Sequence, residues 1–280
     1  MAPTHYDWGF QLNGNSHWLE NYKNHFISVD VGFIGDYEDH RPAFYEFTSS
    51  HLNGLPGTEA AMRANELLIL VNGMMRVKWG FGFRPFALGE GRHYWKNERA
   101  RLDHHRSRPV PMFPEDVEML RYHRDRWPLS EDGKALFLSR SDRYLRVMFR
   151  TLGREGLTFV SLSKVLDTIN AELHASGKGA TRANLATLGG KTENDIECFT
   201  YTANNFDVGG EDARHGLNAK FKATDRLRQL TLEEAADVIL PIARGLLKQR
   251  VAETFGPKWE AVLVDRAAEA DPPPPRPEPQ

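Results

Sequence analysis

The chain has 280 residues, 36 Lys or Arg against 38 Asp or Glu, and 40% hydrophobic residues including 11% aromatics, enough apolar material for one large or two modest cores. The single cysteine, Cys198, excludes an internal disulfide, and its place in an apolar helical stretch reads as a buried thiol in a reducing compartment. MAPTHYDWGF lacks a basic start followed by an apolar run, and LLILV is far too short to span a bilayer, so a cytoplasmic setting and no membrane partner are expected.

In chain order, residues 26–34 (FISVDVGFI) alternate Val29, Val31 and Phe33 with Ser28, Asp30 and Gly32, the period of a half-buried strand. PAFYEFTS reads the same way, and the turn residues of GDYEDHRP between them predict a hairpin over residues 26–49. Asp30, Asp36, Glu38, Asp39 and His40 match no known metal-binding loop. Thr58 is the expected cap of EAAMRANELLILVNGMM, whose Leu67, Leu68, Ile69, Leu70, Val71, Met74 and Met75 cover most directions around a helix, so this helix should be buried on most sides. Asn65, Glu66 and Asn72 then lie in or beside the core as candidate site residues, because buried polar groups need partners.

Val77, Trp79, Phe81 and Phe83 alternate with Lys78, Gly80, Gly82 and Arg84, predicting a strand with one aromatic and one basic face. Pro85 to Gly91 should be a turn or a return strand. Residues 92–108 (RHYWKNERARLDHHRSR) hold six Lys or Arg, two acids and three His interleaved with Tyr94 and Trp95, the best surface for an anion in the sequence. His93, His104 and His105 lack paired cysteines or an HExxH frame, so no metal is expected. Pro109, Pro111 and Pro114 mark a domain seam before a short helix in EDVEMLRYHRDRW.

On the next helix, wheel arithmetic puts Arg143, Arg146, Arg150 and Arg154 in one stripe opposite Leu145, Met148, Phe149 and Leu152. Such a stripe is a solvated face, or it uses the fixed fork of arginine to meet phosphate or carboxylate. FVSLSKVLDTINAELHAS follows as a helix stopping at Gly177. Thr192, with Asp195 three residues on, caps another that should stop near Phe206 before Gly209 and Gly210. Glu211 to His215 form a further short turn ending at Gly216, which puts Arg214 and His215 at an exposed corner, with Asp207 or Asp212 as acids for Arg214. Thr231 and Glu234 make a capping box before LEEAADVILPIARGLLKQRV, an amphipathic helix that its interior Pro241 should kink. DPPPPRPEPQ can enter neither helix nor sheet core and reads as extended polyproline, disorder, or a ligand for a proline-binding module.

The order of helix, NNFDVGGEDARHGLN loop, linker, TLEEA and long helix over residues 157–255 resembles the C-terminal module of abortive-infection proteins, which are similar to HEPN-type helical domains. The resemblance implies a bacterial defence protein that binds nucleic acid, with RNA favoured, and it leaves ribonuclease activity open. It points to Arg214 and His215 as catalytic candidates and to Asn204, Asn205 and Asp212 as their loop. HEPN ribonucleases carry an Arg and, about four to six residues on, a His on one helix; here Arg214 and His215 are adjacent, and that spacing occurs at Arg99 with His104 or His105.

Charge is segregated along the chain. Residues 1–75 hold 3 Lys or Arg against 9 acids, residues 76–154 hold 18 against 10, and residues 155–280 hold 15 against 19. A basic middle between acidic flanks implies an anionic partner or complementary packing between segments. The candidate nucleic-acid contacts are Arg143, Arg146, Arg150, Arg154, Arg99, His104 and His105. No phosphate-binding glycine loop, Ser or Cys nucleophile motif or dinucleotide fingerprint occurs, so no cofactor is expected.

The expected fold is a mainly helical α+β protein. Its parts are an N-terminal region of hairpins with a buried helix (1–112), a C-terminal helical bundle (115–256), and a short helix with a proline-rich tail (257–280). The rival functions are a noncatalytic interaction protein whose arginine stripe meets an acidic protein surface, and a small-ligand sensor with the Asn65, Glu66 and Asn72 helix as pocket wall.

Overall fold

Pro56, held at φ −61° and ψ 150°, turns the chain into α2, Gly57–Trp79, the helix around which the other elements are laid. The computed structural model describes residues 5–36, 44–102, 129–215 and 226–256, and of Asp36, Phe206 and Asp212 the backbone alone. Thr58 is not the cap of α2. Proline fixes the extended dihedrals that precede a helix, so α2 starts at Gly57 with no side-chain cap.

Among the described residues five antiparallel strands form one sheet in the order β2-β3-β1-β4-β5: β1 Trp8–Asn13, β2 Gly32–Asp36, β3 Phe44–Thr48, β4 Ala87–His93 and β5 Arg99–Ala100. The β2–β3 hairpin lies within the expected stretch, although the ladder begins only at Gly32. Phe10 pairs with Phe47 and Phe47 with Phe33, so these rings face the core together, while Gln11, Glu46 and Ile34 form the next row on the other face. The helix α1, Ser16–His25, covers the β2 end, its first turn capped by Asn15.

The strand expected at residues 77–84 is a helix end. The helix α2 continues through Trp79, Gly80 closes it at φ +56° by donating to the Arg76 carbonyl, and Gly80–Gly82 add one 3-10 turn. Period-two apolarity over so few residues also fits a helix terminus running into a turn, and here the turn packs on α9, Leu232–Thr254.

Among the described residues the remaining helices are α3 Glu131–Leu138, α4 Arg143–Glu155, α5 Phe159–Ala175, α6 Arg182–Gly189, α7 Glu193–Asn204, the single turn α8 Phe206–Gly209, and α9 Leu232–Thr254. The Thr192 and Thr231 capping boxes both form. Ala235, Ala236, Ile239, Ile242, Ala243 and Leu246 of α9 are buried as the periodicity required. Among the described residues no helix is long and apolar enough to cross a membrane.

The helix α2 packs on α4 most extensively and also touches α3, α9, β4 and β5, so the buried apolar side chains of the described residues join one core. The expected seam near residue 112 and the helix at 115–127 lie outside the described residues.

Candidate nucleic-acid interface

The arginine stripe of α4 faces mostly inward partners. Asp142 caps α4 by accepting from the Tyr144 and Leu145 amides at 2.8 and 3.0 Å. Arg146 donates to the Ser139 and Arg140 carbonyls just past the end of α3, at 3.2 and 2.6 Å. Arg150 meets Glu66 of α2 at 2.9 Å, and Arg154 meets the other oxygen of the same carboxylate. Leu145, Met148, Phe149 and Leu152 are buried on the opposite side, so the helical wheel assigned the faces and missed the partner. Arg143 is exposed and makes no ion pair or hydrogen bond among the described residues. The proposed pocket wall is likewise occupied: Asn72 donates to the Phe86 carbonyl at 2.8 Å and accepts from the Phe86 amide at 2.9 Å.

The corner after α7 is tied down differently from expectation. Gly210 takes φ +63°, where a side chain would be strained, and the chain returns so that the Arg214 amide donates to the Ala203 carbonyl at 2.6 Å. The Arg214 guanidinium meets Asp167 of α5 at 2.7 Å rather than Asp207. His215 is exposed and, among the described residues, has no ion pair or hydrogen bond. Asn205 donates to the Tyr201 carbonyl at 2.6 Å, and the Asn204 side-chain oxygen is buried without a hydrogen-bond partner. Arg214 therefore turns back onto α5. The Asp212 side chain, His104 and His105 lie outside the described residues.

The outer face of the sheet gathers what the sequence kept apart. Glu46 on β3 has a side chain only 4% exposed, and Arg92 on β4 grips it from the far side of β1, with Nε and Nη2 at 2.8 and 3.3 Å from its two oxygens. The Tyr94 hydroxyl donates to the same carboxylate at 2.6 Å. Both reach across β1 because residue 9 is glycine: it lies opposite Thr48 on one side and Arg92 on the other, and a Cβ there would come 2.1 Å from the Tyr94 hydroxyl. Burial, and then the hydrogen bond to Glu46 and its charge, raise Tyr94 well above the ordinary tyrosine range, so it stays a neutral donor. The Arg92 guanidinium carbon lies 5.5 Å from the Phe44 ring centre and 5.4 Å from that of Tyr94, within cation–π range of both.

Around this centre the face is open. Phe44 and Ile34 are 38% and 41% exposed, and Gln11 and Asn13 point outward from β1. Arg99 and Arg101 both contact Glu90 at 3.2 Å with most of their side chains in solvent. In the β4–β5 hairpin Trp95 is 64% exposed, its indole N–H fixed on the Tyr6 carbonyl at 3.0 Å. Arg99 was legible as a candidate from its basic surroundings. Arg92, Tyr94 and Glu46 form one unit only through a register across three strands, which no spacing along the chain announces.

Among the described residues no group of three His, Cys, Asp or Glu could hold a metal ion. Comparison with protein-family models, with curated proteins and with solved structures finds no match.

Proposed function

We propose that the chain binds single-stranded nucleic acid, RNA in the first instance, on the outer face of its sheet, and holds it without cutting it. The supporting observation is the presence on that face of Arg92, Arg99 and Arg101 with exposed Phe44, and of exposed Trp95 in the adjoining β4–β5 hairpin. Unpaired bases stack on aromatic rings whatever their sequence, and arginines neutralise the phosphates between them. A duplex hides its base faces and cannot use the rings. Gln11 and Asn13 add hydrogen-bonding groups of the kind that meet base edges and 2′-hydroxyls. The resemblance of residues 157–255 to abortive-infection modules makes phage defence the setting in which to look for the partner. Holding rather than cutting fits Arg214 being engaged by Asp167 and His215 making no ion pair or hydrogen bond among the described residues.

The test is fluorescence anisotropy with a labelled unstructured RNA, its duplex, and an acidic polypeptide, over a range of salt. Tight binding to the single strand that weakens as salt rises is expected. Trp95→Ala should lower affinity about tenfold or more, since a stacked base contributes about 1–3 kcal/mol. Reversing Arg99 and Arg101 to Glu should lower it further and flatten the salt dependence, while Arg143→Glu on α4 changes nothing. Equal affinity for the duplex, preference for the acidic polypeptide, or indifference to Trp95→Ala overturns the proposal.

A further inference from the structure

A second exposed aromatic surface lies at the far end of α2. Trp79 and Phe81 are 47% and 48% exposed, and both belong to the turn where α2 ends. The Trp18 ring of α1 stands 5.2 Å from Trp79, centre to centre, tilted by 58°, and meets Phe83 edge-on at 5.9 Å. Phe83 is 4% exposed and leads through Phe86 into the core, so the surface has a rigid base. Lys78 lies 5.4 Å from the Trp79 ring centre, and Arg84 is exposed beside the same turn. Tilted, partly exposed rings with Arg84 exposed beside them suit an extended proline helix, whose pyrrolidine rings pack on aromatic faces at little entropic cost.

The chain carries such a ligand itself. Residues 272–279 read PPPPRPEP, with Asp271 before them and Glu278 within, acids opposite in charge to Lys78 and Arg84. The described chain leaves off near this surface: Phe255 meets Phe137 of α3 edge-on with its ring centre 6.0 Å from the Lys134 ammonium, and Asp132 of the same helix holds Lys78 at 2.9 Å. The helix α3 is about 12 Å long at 1.5 Å per residue. The 15 residues from 257 to 271 reach about 50 Å when extended, several times the separation. We infer that residues 272–279 of this chain seat on the Trp18, Trp79 and Phe81 surface. The aromatic residues at 79 and 81 are then a docking site for a proline-rich segment, separate from the outer sheet face.

Fluorine NMR of the full chain labelled with 5-fluorotryptophan tests this, with the Trp79 signal assigned through Trp79→Phe. Replacing Pro272, Pro273, Pro274 and Pro275 by Ser should shift the Trp79 signal and leave the buried Trp8 signal, which reports the fold, in place. A synthetic peptide of residues 270–280 added to that variant should return the Trp79 signal to its original position. An unchanged signal in the serine variant overturns the inference. So does a shift that depends on protein concentration, which assigns the surface to a second copy, or one produced by an RNA oligonucleotide and not by the peptide. Binding of RNA to the outer sheet face is read separately through Trp95, so either proposal can fail alone.

Discussion

Glu46 is a carboxylate with almost no access to water, and its two charge-relevant partners are Arg92 and Tyr94. Removing one partner of a buried ionic contact costs more than removing both, because the remaining charge is left without compensation. Arg92→Ala should therefore lower stability by about 2 kcal/mol, below the usual 3–5 because Arg92 is half exposed and Tyr94 still donates. Adding Glu46→Gln to that variant should restore part of the loss, read from urea unfolding midpoints. Tyr94 supplies a pH dependence of definite sign. Its folded pKa is raised above the unfolded value near 10, so its contribution is intact below about pH 10 and is lost as pH rises toward the folded value. Unfolding midpoints should fall above about pH 10, and Tyr94→Phe should make that fall shallower. Tyr22, buried and facing Asp132, is raised in the same direction and keeps the remainder.

The crossing of α2 and α4 is set by two glycines. A Cβ on Gly73 would stand 1.8 Å from the Phe149 carbonyl, and one on Gly153 would stand 2.0 Å from the Ile69 carbonyl, so the two backbones touch where side chains normally separate them. Gly73→Ala should cost about 3 kcal/mol despite the better helix propensity of alanine, since both helices must move apart. Gly82→Ala, where an added Cβ meets nothing within 4 Å, should be close to neutral in the same unfolding assay. Neither glycine could be assigned this role from the sequence, where each is an ordinary helix weakener. Two helix starts were legible, unlike that of α2: the Thr192–Asp195 and Thr231–Glu234 boxes act over three residues, and the chain carries that information locally. The fate of residues 77–83 was not, because packing of the Gly80–Gly82 turn on α9 takes part in deciding it.

Across the molecule, the segregated charges find one another. Asp30, Glu46 and Glu66 from the acidic first quarter meet Arg140, Arg92 and the pair Arg150 and Arg154 from the basic middle, and Asp30 is fully buried with His51 at 2.8 Å. Part of the basic excess is thus complementary packing, which the charge counts raised as one alternative. They could not choose it, since the partners lie 46 to 110 residues apart. For the same reason a fragment of residues 1–112 should not fold alone: it would expose the side of α2 that lies on α4, and circular dichroism and proteolysis of the fragment should show loss of cooperative structure. The position of α2 between the sheet and the helices also governs how the native state breathes. Its central amides, around Leu70 and Val71, are shielded by the sheet side and the helix side together, so neither side can peel away and expose them. Their hydrogens should exchange with solvent only when the whole chain opens, more slowly than those of α6, which rests mainly on α7 and α9, and their exchange rate measures the global unfolding equilibrium directly.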